Sequence, residues 1–318
     1  MVGETSMKVD MIKTHGEPVL TEPVCACIGY FDGLHRGHRA LIDETIRRAK
    51  AAGCESALIT FSPDPWITIG RMQKVQHLTT LQQRIELAGK MGIDRVIVLD
   101  FVKEMAELSP SAFIDMLAEH CRLKALICGF DFHYGKFGSG SVETLKAEAA
   151  GRFDVVVIEA VNDQGDKISS SRISRCLEQG DVAEAGRLLG YPYEIRGVVV
   201  HGRQKGREWG FPTANLKTEE ETLLPLGGVY AGEAESGGRS WKAMINIGHN
   251  PTCNPVRELS VEANLLDCTE DFYDQPMRLR FYKRLRTERQ FASLQELIEQ
   301  LHRDQQAVRD YFQELRDE

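Results

Sequence analysis

From residue 20 to about 160, short runs that are apolar on both sides alternate with segments of helical period. The runs are Val24–Ile28, 57–61, 95–99, 125–128 and 155–158, rich in Val and Ile. Between them, 39–50 places Ile42, Ile46 and Ala49 on one face, and 80–91 does the same with Leu81, Ile85 and Ala88. Segment 109–121 opens with Ser109 as N-cap and Pro110 at the first helical position. Strands that alternate with helices and are apolar on both faces predict a parallel sheet covered on both sides, a doubly wound, Rossmann-like α/β domain. A short helix is expected over 181–189, with Asp181 as N-cap, Glu184 completing a capping box and Gly190 as the stop.

Beyond residue 190 the period changes to two. Val261, Ala263 and Leu265 alternate with Glu262 and Asn264, and Met277, Leu279 and Phe281 alternate with Arg278 and Arg280. Short strands between glycine-rich turns predict an antiparallel β-barrel or sandwich. The final segment, 293–315, carries Leu294, Ile298, Leu301, Val308, Phe312 and Leu315 as one stripe, which predicts a helix packed on its own barrel. The expected domains are 1–190 and 191–318.

Length agrees with two domains, since 318 residues suffice for two cores. A formal net charge of −8 argues against nonspecific nucleic-acid binding and against adhesion to anionic membranes, leaving small molecules as the expected partners. An assembly of like copies stays open. The eight cysteines (Cys25, Cys27, Cys54, Cys121, Cys128, Cys176, Cys253, Cys268) are scattered without a C-x-x-C pair, so reduced thiols are expected, with neither a disulfide framework nor a zinc site. No apolar run approaches ~18 residues and no signal pattern opens the chain, which points to the cytoplasm.

Ligands of doubly wound sheets bind beyond the carboxyl ends of the strands. After the first run the chain reads Gly29-Tyr-Phe-Asp-Gly-Leu-His-Arg-Gly-His38 and enters a helix. A helix start offers unpaired N–H groups, and Gly29, Gly33 and Gly37 let a phosphate approach the backbone, so His35 and His38 sit at an expected anion site. Phe31 and Asp32 belong to the same turn. Other strand ends converge on this crevice: Phe61-Ser-Pro-Asp-Pro65, Gly129-Phe-Asp-Phe-His-Tyr-Gly135 with Asp131, and Lys167-Ile-Ser-Ser-Ser-Arg172, where Ser170 and Arg172 suit a polyphosphate.

In the second half, 201–215 holds Gly202, Gly206 and Gly210 together with Lys205 and the turn Pro212-Thr-Ala-Asn215, a second candidate phosphate loop without the P-loop form. Thr213 and Asn215 lie two apart, so their oxygens would point to one side of an extended segment, a geometry that suits Mg²⁺ held with substrate phosphates. Glu262 is either a solvated carboxylate on an outer face or a base that accepts a proton from a substrate hydroxyl.

These motifs, with Asn246-Ile-Gly248, Pro251-Thr252 and Ser260-Val-Glu-Ala-Asn264, resemble those of the bacterial bifunctional riboflavin kinase/FMN adenylyltransferases, over nearly all of residues 20–315. The resemblance implies two reactions. In the barrel, ATP would phosphorylate riboflavin to FMN, with Thr213 and Asn215 holding Mg²⁺-ATP and Glu262 as base. In the first domain, FMN phosphate would attack a second ATP to give FAD and pyrophosphate; His35 and His38 would stabilise charge, Ser170 and Arg172 would lie near the triphosphate, and Asp131 near nucleotide or metal. One position departs: the family usually has histidine where Asp64 stands, and a carboxylate there would repel a triphosphate or bind Mg²⁺. The alternatives are a monofunctional riboflavin kinase, a flavin-binding sensor without turnover, and a nucleotidyltransferase for another substrate.

Overall fold

The computed structural model describes residues 7–16, 20–202, 205–249 and 259–317. Its contacts divide the chain into two compact units, with the division between Ser170 and Ser171.

The first unit runs β1 (Lys8–Ile12), β2 (Val24–Ile28), α1 (Arg36–Ala52), β3 (Glu55–Ser62), α2 (Pro65–Thr68), α3 (Leu81–Lys90), β4 (Arg95–Asp100), α4 (Lys103–Ala106), α5 (Pro110–Cys121), β5 (Leu123–Gly129), α6 (Val142–Glu148), β6 (Asp154–Ile158) and the small hairpin β7 (Asn162–Asp163) and β8 (Asp166–Lys167). Six strands form one parallel sheet in the order β1-β4-β3-β2-β5-β6. From β2 the chain builds outward through β3 and β4, then returns to place β5 and β6 on the other side. The strand order therefore reverses between β2 and β5, and ligands of such sheets bind beyond the carboxyl ends at that reversal.

Alternate residues of each strand feed two cores. Val24, Ala26, Ile28, Ile59, Ile97 and Leu126 pack with α5 and α6 on one face. Cys25, Cys27, Leu58, Val96, Val98 and Ile127 pack on the other with Ile42 of α1 and Ala88 of α3. Both faces are dry, which is why these strands read as unbroken apolar runs. Strand β1 was not expected. It is an edge strand whose Val9 and Met11 are 50% and 55% exposed, held through the pairing of Asp10 with Arg95, so its alternation signals no buried face.

The second unit begins with α7 (Ser170–Glu178) and α8 (Val182–Leu189), followed by β9 (Tyr193–Val200), α9 (Lys205–Glu208), β10 (Ala214–Thr218), β11 (Gly228–Ser236), β12 (Arg239–His249), β13 (Leu259–Leu265), β14 (Pro276–Arg286) and α10 (Leu294–Asp317). Asp181 caps α8 through the N–H of Glu184, and Gly190 ends it in a left-handed conformation. The Glu184 carboxylate accepts from Arg187 and Arg172. The six strands close into an antiparallel barrel in the order β10-β13-β12-β11-β14-β9.

Tyr193, Tyr230 and Phe281 meet in the barrel, with ring centroids 5.4 to 6.3 Å apart. Met277, Leu279 and Phe281 are buried as their alternation predicts, while Arg280 faces outward to Glu194 and Glu235. The outer face is not simply solvated. Val308 and Phe312 of α10 pack on Val229, Ala231 and Met244. Leu294 and Leu315, the ends of the expected stripe, are about half exposed.

Candidate active sites

The turn between β2 and α1 is built around two buried anchors. Phe31 and Leu34 are almost fully buried although both adopt positive φ, 58° and 38°. Such backbone is strained by ~1–3 kcal/mol per residue, offset by the ~1.5–3 kcal/mol gained on burying each large apolar side chain. The result presents His35 as N-cap of α1, its Nδ1 accepting from the His38 N–H at 3.3 Å. Proton-free Nδ1 leaves the His35 proton on Nε2. The His35 and His38 rings stack at 3.7 Å, and Phe31 meets His38 edge-on at 5.1 Å. A Cβ at Gly37 would lie 3.0 Å from the His35 ring, so a side chain there would push that ring out of place.

Both imidazoles are neutral near neutral pH. Burial, with Lys167 adding to it, pushes His35 down to about 4. Burial also drives His38 well below its ordinary value, helped by His35 and Lys167. They therefore act first as hydrogen-bonding groups, and an arriving anion would draw protons onto them. Lys167, absent from the expected site residues, is the cation whose field both histidines feel. It pairs with Asp131 and lies 4.8 Å over the Phe130 ring.

The other expected residues of this turn have defined places. Gly29 donates its N–H to Ile59 O. Asp32 accepts from the N–H groups of Leu78 and Thr79 at 3.1 and 2.9 Å and from the Thr79 hydroxyl, so its carboxylate holds the turn against segment 77–79. Ser170 donates its hydroxyl to Asp32 O at 2.8 Å. Arg172, expected near the triphosphate of the first unit, lies in the second unit, where it reaches Glu184. Asp64 is 8% exposed and caps α2, accepting from the N–H groups of Trp66 and Ile67. A cavity of about 660 Å³ lined by Arg122, Lys124 and Arg152 lies at the amino ends of β5 and β6, away from the edge where parallel sheets bind ligands.

In the barrel, cross-strand register assembles the site. Asn215 of β10 stands opposite Glu262 of β13, Glu262 opposite Asn246 of β12, Asn246 opposite Val229 of β11, and Val229 opposite Arg286 of β14. Directly opposed residues share a face, so one row crosses five strands. All five line a cavity of about 800 Å³, bounded also by Trp209, Phe211, Leu297 and Leu301. Glu262 is consequently part-buried under α10, and its Oε2 accepts from the Thr213 hydroxyl at 3.4 Å. The open choice between a solvated carboxylate and a site carboxylate thus resolves geometrically to a cavity wall.

A second cavity, of about 310 Å³, lies on the far side of Pro212, Thr213 and Asn215 and is lined by Thr269, Phe272 and Tyr273. The two cavities meet at Thr213 and Asn215. The Asn215 amide packs on Gly202, where a Cβ would come within 2.2 Å of Nδ2. Gly206 is pressed against Phe211 O, and Gly210 turns the chain with φ 83°. The side chain of Lys205, together with Pro251, Thr252 and Cys253, lies outside the described residues.

Helix α10 is fixed over this face by polar links. Asp304, 3% exposed, receives Arg286 through Nε and Nη2. Gln305 donates to the Asn264 Oδ1, and the Asn264 Nδ2 donates to Pro212 O, both at 2.8 Å. Asn264, expected on an open face, is thereby 2% exposed. Among the described residues no cluster of three or more His, Cys, Asp or Glu side chains could hold a metal. The neutral oxygens of Thr213 and Asn215 beside one carboxylate fit a hard divalent cation bound largely through substrate phosphates.

Comparisons with known proteins match both halves of the chain. Residues 18–172 match the family described as FAD synthetase, and residues 189–312 match riboflavin kinase. The bifunctional riboflavin kinase/FMN adenylyltransferase of Listeria monocytogenes is 38% identical over 91% of this chain and 93% of its own. The Bacillus subtilis enzyme of the same name is 38% identical over 91% and 92%, and that of Escherichia coli 35% over 90% and 91%. A Streptococcus pneumoniae crystal structure, described as a macrolide-efflux protein, superposes with a TM-score of 0.83 at 29% identity, covering 94% of this chain and 98% of that one. No described helix here is long and apolar enough to cross a membrane. With both halves matched in order and the relatives covered almost end to end, the chain belongs to the bifunctional riboflavin kinase/FMN adenylyltransferase family.

Proposed function

We propose that the two reactions of this enzyme are divided between the units by the residues described above, with the domain boundary near residue 190, where Gly190 ends α8. In the barrel, the Glu262 carboxylate accepts the proton of the riboflavin 5′-hydroxyl as that oxygen attacks the γ-phosphorus of ATP, and ADP leaves. The Thr213 hydroxyl and Asn215 amide oxygen would hold Mg²⁺ together with the phosphates, and the ion would neutralise charge on the triphosphate. Gly206, Gly210, Pro212 and the Lys205 amine belong to the same nucleotide loop. The observation that carries this assignment is the row Asn215–Glu262–Asn246 in the wall of the larger cavity, which meets the smaller one at Asn215.

In the parallel-sheet unit, an oxygen of the FMN phosphate attacks the α-phosphorus of a second ATP and pyrophosphate leaves. His35 and His38 donate hydrogen bonds to the reacting phosphates, and the N–H groups at the start of α1 add their partial positive charge. Gly29, Phe31 and Gly37 shape that turn, Asp32 and Ser170 fix it, and Asp131 with Lys167 borders it. The enzyme works on small molecules in the cytoplasm, with no nucleic-acid partner, as its net charge of −8 favours.

The test is a two-step turnover. Riboflavin and ATP should give FMN and then FAD once Mg²⁺ is supplied, and neither without a divalent cation. FMN accumulating with no FAD would leave only the kinase half of the assignment.

A further inference from the structure

Behind the turn of the first unit that carries His35 and His38 lies a buried polar cluster whose Tyr30, Asp64, His77 and Arg84 have no role above. His77 is 5% exposed, with Nε2 3.1 Å from Asp64 Oδ2 and Nδ1 3.9 Å from Asp32 Oδ2. The Tyr30 hydroxyl lies 3.2 Å from the same Nε2. Arg84, also buried, donates from Nη1 to Tyr30 O at 2.8 Å and to the Thr60 hydroxyl at 2.9 Å, with its guanidinium 4.4 Å over the Tyr30 ring. The approach of Nε2 to the buried Asp64 Oδ2 is a close contact without hydrogen-bond geometry. The other carboxylate oxygen is taken by the start of α2. Asp64 is thus held within the protein, one oxygen capping α2 and the other, buried, beside His77.

We propose that Asp64 and His77 form a positioning pair for FAD formation: Asp64 anchors His77, and His77 with Tyr30 and Asp32 fixes the turn that carries His35 and His38. The aspartate neither ligates metal nor faces the triphosphate. Three links make the coupling direct. His77 is followed by Leu78 and Thr79, whose N–H groups clamp Asp32. The Thr79 hydroxyl accepts from Gly33 N at 2.8 Å. Tyr30 and Asp32 flank Phe31, whose ring backs His38. Loss of the pair frees the segment that sets the height of the two imidazoles over the reacting phosphorus, which acts on the transition state more than on ground-state binding.

The test compares Asp64→Asn, His77→Gln and His77→Leu, with riboflavin kinase activity of the same preparations as the measure of intact protein. Asparagine keeps the cap on α2 and removes the charge; glutamine keeps a polar group beside Asp64; leucine keeps only bulk. His77→Leu should lower kcat for FMN adenylylation about ten- to a hundredfold while KM for ATP stays within about threefold. His77→Gln should recover most of that loss, and Asp64→Asn should lower kcat without raising the Mg²⁺ concentration needed for half-maximal rate. Should His77→Leu fail to fold, the Asp64→Asn result decides. An unchanged kcat in Asp64→Asn, a large rise in its Mg²⁺ requirement, or a glutamine variant as impaired as the leucine one would overturn the proposal.

Discussion

The two candidate sites are of opposite construction. In the parallel-sheet unit the candidate site hangs on one turn, with positive φ at Phe31 and Leu34, and is steadied by segment 77–79 and by Ser170. In the barrel it is written into paired strands, where Asn215, Glu262 and Asn246 stand in one ladder row. A loop site depends on every strut that braces it, and a ladder site depends on register alone. The difference teaches where each half is vulnerable: substitutions outside the first site should reach its chemistry easily, whereas the barrel site should yield mainly to changes in the row itself or in its helical roof.

The sharpest break of this comparison is a pair of lesions. Glu262→Gln should lower FMN formation by about 10²–10⁴-fold, the usual worth of a general base, and leave FMN-to-FAD conversion intact. His38→Ala should do the reverse. Chromatography of each half-reaction reads both, and loss of both activities in a folded variant would end the two-site account.

A smaller effect is expected from the roof. Asp304→Ala strands Arg286 beside the 800 Å³ cavity, and removing one partner of a buried pair costs about 3–5 kcal/mol. Denaturant melts should show the barrel destabilised by an amount in that range, with KM for riboflavin raised and FMN adenylylation unaltered.

The smallest effect is a pH dependence confined to the first unit. His35 is pushed down to about 4 from its ordinary 6.5, so between those values the unfolded chain binds a proton that the folded unit refuses. Stability is then full above the upper value and declines as pH falls through the window, by on the order of 3 kcal/mol at most for this residue. Asparagine, which retains N-cap chemistry, should flatten that slope in His35→Asn when unfolding is followed across the window.

Much of this was legible in the sequence. The β2 run, the Ser109 and Asp181 caps and the alternation of Met277, Leu279 and Phe281 are local signals, and the structure bears them out. What escaped depends on partners distant in the chain. Alternation placed Glu262 and Asn264 on the face away from the core, and only the docking of α10 turns that face into a cavity wall. The place of Asp64 as cap of α2 beside His77 was not legible, because His77 sits in an aperiodic loop that gives no signal. Lys167 stood inside a recognised motif, yet its influence on His35 arises only where β8 brings it back to the first turn.

The ladder row has a last consequence, for inheritance rather than chemistry. Side chains alternate along β13, so losing or gaining a single codon within it would turn Glu262 inward and Val261 out, while leaving composition and hydropathy almost unchanged. Tolerated length changes in descendants of this gene should therefore fall between the strands of the barrel, and a frame-preserving deletion inside β13 should abolish flavin phosphorylation as surely as loss of the carboxylate.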